Sequence, residues 1–120
     1  MDLRDATRRA TEIRALYAKL EESTHGRSWT TEEILLGLVG DVGDLAKLVQ
    51  AAEGVRAASD LKNQLPHELA DCLWAILVLA DRLGVDIESA FTANMSDLEA
   101  IIHKGLENQD RVASATRREA

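Results

Sequence analysis

Apolar residues recur at helical spacing in four stretches of this sequence, and no stretch shows the alternating pattern of a half-buried strand. The chain has one Pro and only 3% aromatic residues, so its core must consist mainly of Leu, Val, Ile and Ala. A chain of 120 residues can enclose one hydrophobic core but not two independent ones. We therefore predict an all-α fold, with a single domain of four helices over residues 1–110.

The first two helices are delimited by polar and turn-forming residues. The first is predicted from residue 2 to about residue 22, and its arginines, Arg14 among them, are expected to be solvated. The second begins at Thr30, which has capping-box spacing to Glu33, and continues to about Ala52. One stripe of this helix is predicted to pack inward: Leu35, Leu38, Val42, Leu45 and Val49.

The third helix follows a polar linker, residues 54–64, and is predicted to hold Pro66 in its first turn. It is apolar on nearly all sides until Gly84. One small chain can hardly cover such a helix, so we predict that part of it packs against another subunit. The fourth helix is predicted over residues 86–106. Residues 111–120 lack an apolar stripe and are expected to fray.

Two pairs of acidic residues stand at i and i+3 within the apolar second and third helices. Asp41 and Asp44 form the first pair, and Glu68 and Asp71 form the second. Residues at this spacing share one face of a helix, so each pair can direct its oxygens to a common point. A single pair is most often a solvated face. Two pairs that border packing surfaces favour a site for a hard cation such as magnesium.

The acidic composition limits the partners that this protein can bind. The formal net charge of −7 and the pI near 4.9 disfavour nucleic acids and anionic membranes, because the protein's field repels polyanions. Cys72 is the single cysteine, so an intrachain disulfide is excluded and the thiol is expected to be buried. The chain starts without an apolar signal core, and no apolar run is long enough to span a bilayer. We expect a cytoplasmic protein.

Three motifs, in this order along the chain, resemble the all-α nucleoside triphosphate pyrophosphohydrolases of the MazG-like superfamily, and within it the dCTP pyrophosphatase-like branch. They are Leu38-Val39-Gly40-Asp41-Val42-Gly43-Asp44-Leu45, Glu68-Leu69-Ala70-Asp71 and Gly84-Val85-Asp86. The resemblance extends from about residue 29 to residue 95. It implies a four-helix MazG-like bundle, and the uncovered third helix predicts that oligomerisation completes this bundle, as a homodimer or homotetramer.

The resemblance also implies an enzyme that depends on Mg²⁺, with Mn²⁺ as a substitute metal. Its substrate would be a (d)NTP, in particular a pyrimidine or modified dNTP, cleaved to the monophosphate and pyrophosphate to clean the nucleotide pool. The implied metal-binding and catalytic residues are the four acids: Asp41, Asp44, Glu68 and Asp71. Magnesium would neutralise charge on the phosphates and make the attacking water more acidic. A spare carboxylate would then accept the proton of that water.

Three further residues are candidates for substrate binding. Trp29 can stack on a nucleobase or serve as a hydrophobic staple for the second helix. Lys47 can reach a phosphate or pair with Asp44 in its own helix. Asn94 stands where many relatives have a lysine, and it can donate only an uncharged hydrogen bond. The absent lysine leaves one alternative open, a catalytically impaired family member that acts as a nucleotide-binding or assembly module.

Overall fold

The computed structural model of the chain describes residues 1–119, and four helices account for most of them. These are α1 (Leu3–His25), α2 (Thr31–Ala52), α3 (Leu61–Arg82) and α4 (Ile87–Glu119). No strand occurs among the described residues, which confirms the all-α prediction. None of the described helices combines the length and apolarity that a bilayer span requires. The contacts divide the chain into two units, one from Met1 to Ile87 and one that comprises α4 from Glu88 onward.

In the first unit, α3 packs against both α1 and α2. Trp74 links α3 to α1, because its indole Nε1–H donates a hydrogen bond to the carbonyl of Ala10 at 3.0 Å and its ring centroid lies 5.4 Å from that of Tyr17. The buried core contains residues from all three helices: Ala10, Ile34, Leu77 and Val78. A core of this size leaves much of the apolar surface of α3 exposed.

Capping explains where α1 and α2 begin. The carboxylate of Asp2 accepts a hydrogen bond from the Asp5 N–H at 2.8 Å, and the hydroxyl of Thr30 accepts one from the Glu33 N–H at 3.2 Å. The Glu33 carboxylate accepts in turn from the Thr30 N–H at 3.2 Å, which confirms the predicted capping box. These bonds satisfy N–H groups that no intrahelical carbonyl can reach. After α2, Gly54 adopts a φ of +78°, which favours glycine and ends the helix.

The prediction that Pro66 occupies the first turn of α3 was wrong, because the helix begins at Leu61. Asp60 starts the helix instead: its carbonyl accepts from the Asn63 N–H at 3.2 Å, and its carboxylate accepts from Asn63 Nδ2 at 3.1 Å. Pro66 has no N–H, so the carbonyl four residues earlier lacks its intrahelical donor. That carbonyl belongs to Lys62, an exposed residue at the surface, where water can hydrate it.

The packing face of α2 also differs from the predicted stripe. Three residues of that stripe are about half exposed: Leu35, Val42 and Val49. The residue before each of them is more buried and contributes to the face instead: Ile34, Asp41 and Leu48. One residue corresponds to about 100° of rotation around a helix, and both stripes contain enough Leu and Val to look like a packing face. Asp41 therefore lies within the packing face of α2 rather than on its flank.

The fourth helix is longer than predicted. α4 continues past residue 106 to Glu119, so residues 111–119 are helical where the sequence predicted a frayed tail. Ala120 lies outside the described residues. The tail is rich in Ala and Arg, which favour helix even where no apolar stripe is present. The domain boundary at residue 110 stays a prediction.

We expect Thr30→Ala to lower the free energy of unfolding by about 1 kcal/mol, because it removes one acceptor of the capping box. Thr24→Ala is the matched control: the Thr24 hydroxyl donates to the Leu20 carbonyl within α1 and caps no helix start, so its loss should cost less than about 0.5 kcal/mol. Urea denaturation at one protein concentration measures both variants. Equal losses would show that the capping box does not stabilise α2.

Candidate active site

Three of the four predicted acids converge between α2 and α3. Asp41 and Asp44 lie on consecutive turns of α2, and Glu68 lies on α3. Each of the three presents a carboxylate oxygen within 4.8 Å of the other two. We call these residues the acidic group. An all-oxygen set at this spacing suits a hard divalent cation, and the assignment of these acids as metal ligands stays a prediction.

Glu68 is the acid most affected by this convergence. Burial raises the pKa of its carboxyl group, and the negative charges of Asp41, Asp71 and Asp44 raise it further. Its Oε1 atom is buried and has no hydrogen-bond partner among the described residues. A buried carboxylate oxygen without a partner is costly unless a cation or a donor receives it. This atom supports the fit of a divalent cation to the acidic group.

The fourth predicted acid, Asp71, lies beside the acidic group and not within it. It follows Glu68 by one turn of α3, and its Oδ2 atom is 3.1 Å from Nε2 of His67. The i, i+4 spacing on the helix explains this pairing with His67, which the metal-site prediction did not anticipate. Asp71 is near enough to act electrostatically on Glu68, and its role as a metal ligand stays a prediction.

Cys72 follows Asp71 on α3 and is buried, as the sequence predicted. Burial raises the pKa of its thiol, and the charges of Asp41, Glu68 and Asp71 raise it further. A thiol in this environment stays protonated. Cys72 therefore packs as a small apolar side chain and is a poor nucleophile.

A cavity toward the C-terminal end of α2 contains the candidate phosphate ligand Lys47. It is lined by six residues of α2 and α3: Asp44, Lys47, Leu48, Gln64, His67 and Glu68. We call it the Lys47 cavity. Lys47 forms no ion pair within the part of the chain that the structure describes, so the predicted alternative of a pair with Asp44 does not occur there. Its ammonium group is available to an anion near two residues of the acidic group.

A second cavity opens toward the N-terminal end of α2, and we call it the tryptophan cleft. It is lined by residues of α1, α2 and α3 and by the segment before α2: Arg14, Trp29, Ile34, Gly37, Asp41, Trp74, Ala75 and Val78. Most of this lining is apolar. Asp41 belongs to both the cleft and the acidic group, so the cleft adjoins the candidate metal site.

Two backbone hydrogen bonds hold Trp29 in this cleft, and Gly37, which has no side chain, leaves room for its ring. Its N–H donates to Oε1 of Glu21 at 2.9 Å, and its carbonyl accepts from Nη1 of Arg82 at 3.0 Å. A Cβ atom on Gly37 would lie 3.0 Å from the indole ring. The close approach therefore favours glycine at that position, because a larger residue would have to displace the ring. Trp29 is 43% exposed, which leaves part of its ring accessible to a ligand.

Arg14 was predicted to be solvated, and this prediction was wrong. The residue is 9% exposed, and its Nη2 forms an ion pair with Oε1 of Glu21. Burial alone would raise the pKa of Glu21, but hydrogen bonds from the Trp29 N–H and from Arg14 lower it below its usual value. Arg14 follows Ala10 by four residues and so lies on the same face of α1. That spacing was the signal that sequence reasoning missed.

Asn94, the third candidate for substrate binding, lies on the exposed surface of α4 in the unit from Glu88 onward. Its contact with a phosphate stays a prediction.

The comparisons with known proteins agree with the sequence motifs. A family model described as the MazG nucleotide pyrophosphohydrolase domain matches residues 29–100, which include the acidic group, Asp71, Trp29 and Lys47. The chain belongs to the MazG family. The Gene 37 protein of Mycobacterium phage L5 is 28% identical over 89 residues, which cover 71% of this chain and 74% of the phage protein. No solved structure showed significant similarity. The assignment to the dCTP pyrophosphatase-like branch of the MazG family stays a prediction.

We expect Glu68→Gln to raise the thermal stability of the metal-free protein at pH 7. The folded state raises the pKa of Glu68, so the proton is lost more readily from the unfolded state, and the wild type loses stability as the pH rises through the folded-state value. Below the usual glutamate value of 4.5 both states hold the proton, and the difference between variant and wild type should vanish.

Thermal unfolding in chelator at pH 4 and pH 7 measures this difference. Glu107→Gln, on the exposed surface of α4, is the matched control and should show no such pH dependence. Added magnesium should stabilise the wild type more than Glu68→Gln, since only a state that binds the ion gains free energy from it. A variant that is less stable than the wild type at pH 7 without metal would contradict the electrostatic account of Glu68.

Proposed function

We propose that the protein is a magnesium-dependent pyrophosphohydrolase that cleaves a nucleoside triphosphate between the α and β phosphates. The products would be a nucleoside monophosphate and pyrophosphate, and the preferred substrate a pyrimidine or modified dNTP. Membership of the MazG family supports nucleotide pyrophosphohydrolase activity in general. The observation that carries the proposal is the unpartnered, buried Oε1 of Glu68 within the acidic group, since it favours a bound cation.

The residues proposed to hold the metal, Mg²⁺ or Mn²⁺, are those of the two acidic pairs: Asp41, Asp44, Glu68 and Asp71. A bound magnesium ion supplies charge neutralisation for the triphosphate and acidifies the attacking water. Asp71 lies just outside the acidic group and is our candidate for the base that takes the proton from this water. Its hydrogen-bonding distance from His67 would let the proton pass to an exposed imidazole.

The two cavities beside the acidic group suggest how the substrate lies. The apolar tryptophan cleft would hold the nucleobase, with Trp29 stacked on it. The Lys47 cavity, at the other end of the acidic group along α2, would hold the terminal phosphates. The hydrogen bond of Asn94 to a phosphate stays a prediction. Many relatives have a lysine at the position of Asn94. In this arrangement Lys47 would provide the positive charge of that lysine.

The protein is also proposed to be a homodimer or homotetramer in the cytoplasm. Leu69, Leu73 and Ile76 recur at helical spacing on α3 and are each about half exposed. A similar row on α4 is formed by four exposed residues: Phe91, Met95, Leu98 and Ile102. Rows of large apolar side chains of this length are uncommon on the surface of monomers. A second copy of the chain would cover them.

Activity is tested by incubating the protein with each common NTP and dNTP in magnesium and following monophosphate and pyrophosphate. We expect Asp44→Asn and Glu68→Gln each to lower kcat/KM by at least about a hundredfold, because each removes a charge from the metal site. Glu107→Gln is again the control and should match the wild type. If the wild type binds nucleotides but releases no pyrophosphate, the alternative of a catalytically impaired binding or assembly module is correct.

Sedimentation at micromolar concentration tests the oligomer. We expect the wild type to sediment as a dimer or tetramer and Leu69→Glu to shift it toward the monomer, because a charge in an apolar interface must be desolvated. A wild type that stays a folded monomer at this concentration would contradict the proposal. Circular dichroism of Leu69→Glu separates dissociation from unfolding.

A further inference from the structure

The tryptophan cleft contains one cation whose position the proposed metal chemistry does not explain. Arg14 enters the cleft from α1, and α1 lies outside residues 29–100, which match the family model. The side chain is buried, and its Nη2 pairs with Glu21. Its Nε atom is also buried and has no hydrogen-bond partner among the described residues. A buried N–H without an acceptor is costly, so this atom indicates a ligand that supplies one.

The surroundings of Arg14 favour a neutral acceptor over a phosphate. Glu21 already compensates the charge of the guanidinium, and two hydrogen bonds hold this carboxylate in place, one from Arg14 and one from the Trp29 N–H. Apart from Arg14 and Asp41, the cleft is lined by the two tryptophans, Trp29 and Trp74, by Gly37 and by aliphatic side chains. A triphosphate would lose most of its hydration in such a cleft, whereas a flat aromatic base would bury apolar surface against the indoles.

Arginine donates hydrogen bonds and accepts none, so the edge of the base that meets it must present an acceptor. Cytosine, thymine, uracil and guanine each carry a carbonyl oxygen, and adenine carries none. Adenine accepts only at ring nitrogens, and beside two of them, N1 and N7, its N6 amino group presents donors that meet the guanidinium unfavourably.

We propose that Arg14 is a specificity-determining residue that donates a hydrogen bond from Nε to a carbonyl oxygen of the nucleobase. This inference rests on the proposed function and adds to it the class of nucleobase, one that bears a carbonyl group. Glu21 is the positioning residue, because its carboxylate accepts hydrogen bonds from Nη2 of Arg14 and from the backbone N–H of Trp29. The carboxylate of Glu21 thus positions both Arg14, which hydrogen-bonds to the base, and Trp29, which stacks on it.

The test measures kcat and KM separately for dCTP, dTTP, dGTP and dATP in magnesium. We expect the wild type to prefer the three carbonyl-bearing substrates over dATP by about tenfold or more in kcat/KM. Arg14→Lys keeps a cation for Glu21 but loses the Nε donor, and the double variant Arg14→Gln with Glu21→Gln leaves no buried charge unpaired. Both should raise KM for the carbonyl-bearing substrates much more than KM for dATP. Arg8→Lys, on the exposed surface of α1, is the matched control.

A merely structural role for Arg14 would change all four substrates in parallel, and that result would overturn the proposal. A wild type that shows no preference against dATP would overturn it too. Circular dichroism establishes that each variant is folded.

If the wild type releases no pyrophosphate from any substrate, the proposed function fails. The binding of the same four nucleotides is then compared by quenching of tryptophan fluorescence. Tighter binding of the three carbonyl-bearing nucleotides that disappears in Arg14→Lys would still support the assignment, and equal binding of all four would refute it.

Discussion

The packing of α2 against α3 is the contact on which the rest of the candidate site depends. It brings carboxylate oxygens of Asp41, Asp44 and Glu68 within 4.8 Å of one another at a partly buried surface. Like charges at this distance oppose the contact that holds them, and burial makes the repulsion stronger than it would be in water. A divalent cation would reverse the sign of this effect. The binding of such a cation would therefore be coupled in free energy to the association of the two helices.

The sequence was a good guide to features that depend on local spacing. The capping box at Thr30 and Glu33 located the start of α2, and the i, i+3 pairs located the acids. It was a poor guide where rotation about a helix axis mattered. Leucine and valine surround Asp41 on both sides, so the pattern allowed two packing faces about 100° apart, and only the contact with α3 distinguishes them.

Arg14 shows a second limit of sequence reasoning. An arginine at the edge of an apolar stripe is usually solvated, and its burial here requires a carboxylate seven residues later, a wall supplied by α3 and a tryptophan that precedes α2. None of these neighbours follows from the helical pattern of α1 alone. Pro66 is a similar case. Proline is common in the first turn of a helix, but α3 begins earlier, after its N-cap Asp60.

The acidic group and the tryptophan cleft draw on different parts of the chain. The acids all lie within the residues that match the MazG family model, whereas Arg14 and Glu21 come from α1, before that match begins. Trp74 connects the two parts, because its indole both lines the cleft and donates to the Ala10 carbonyl. Changes in α1 can therefore alter the cleft without altering any residue of the acidic group.

Cys72 lies beside the acids, on the buried side of the helix that bears two of them. Its thiol is shielded by packing and kept protonated by burial and by negative charge, so both access and ionisation must change before an alkylating reagent can react. Separation of α3 from its neighbours would change both at once. The single cysteine is thus a natural reporter, because its rate of labelling would record how often this part of the protein opens.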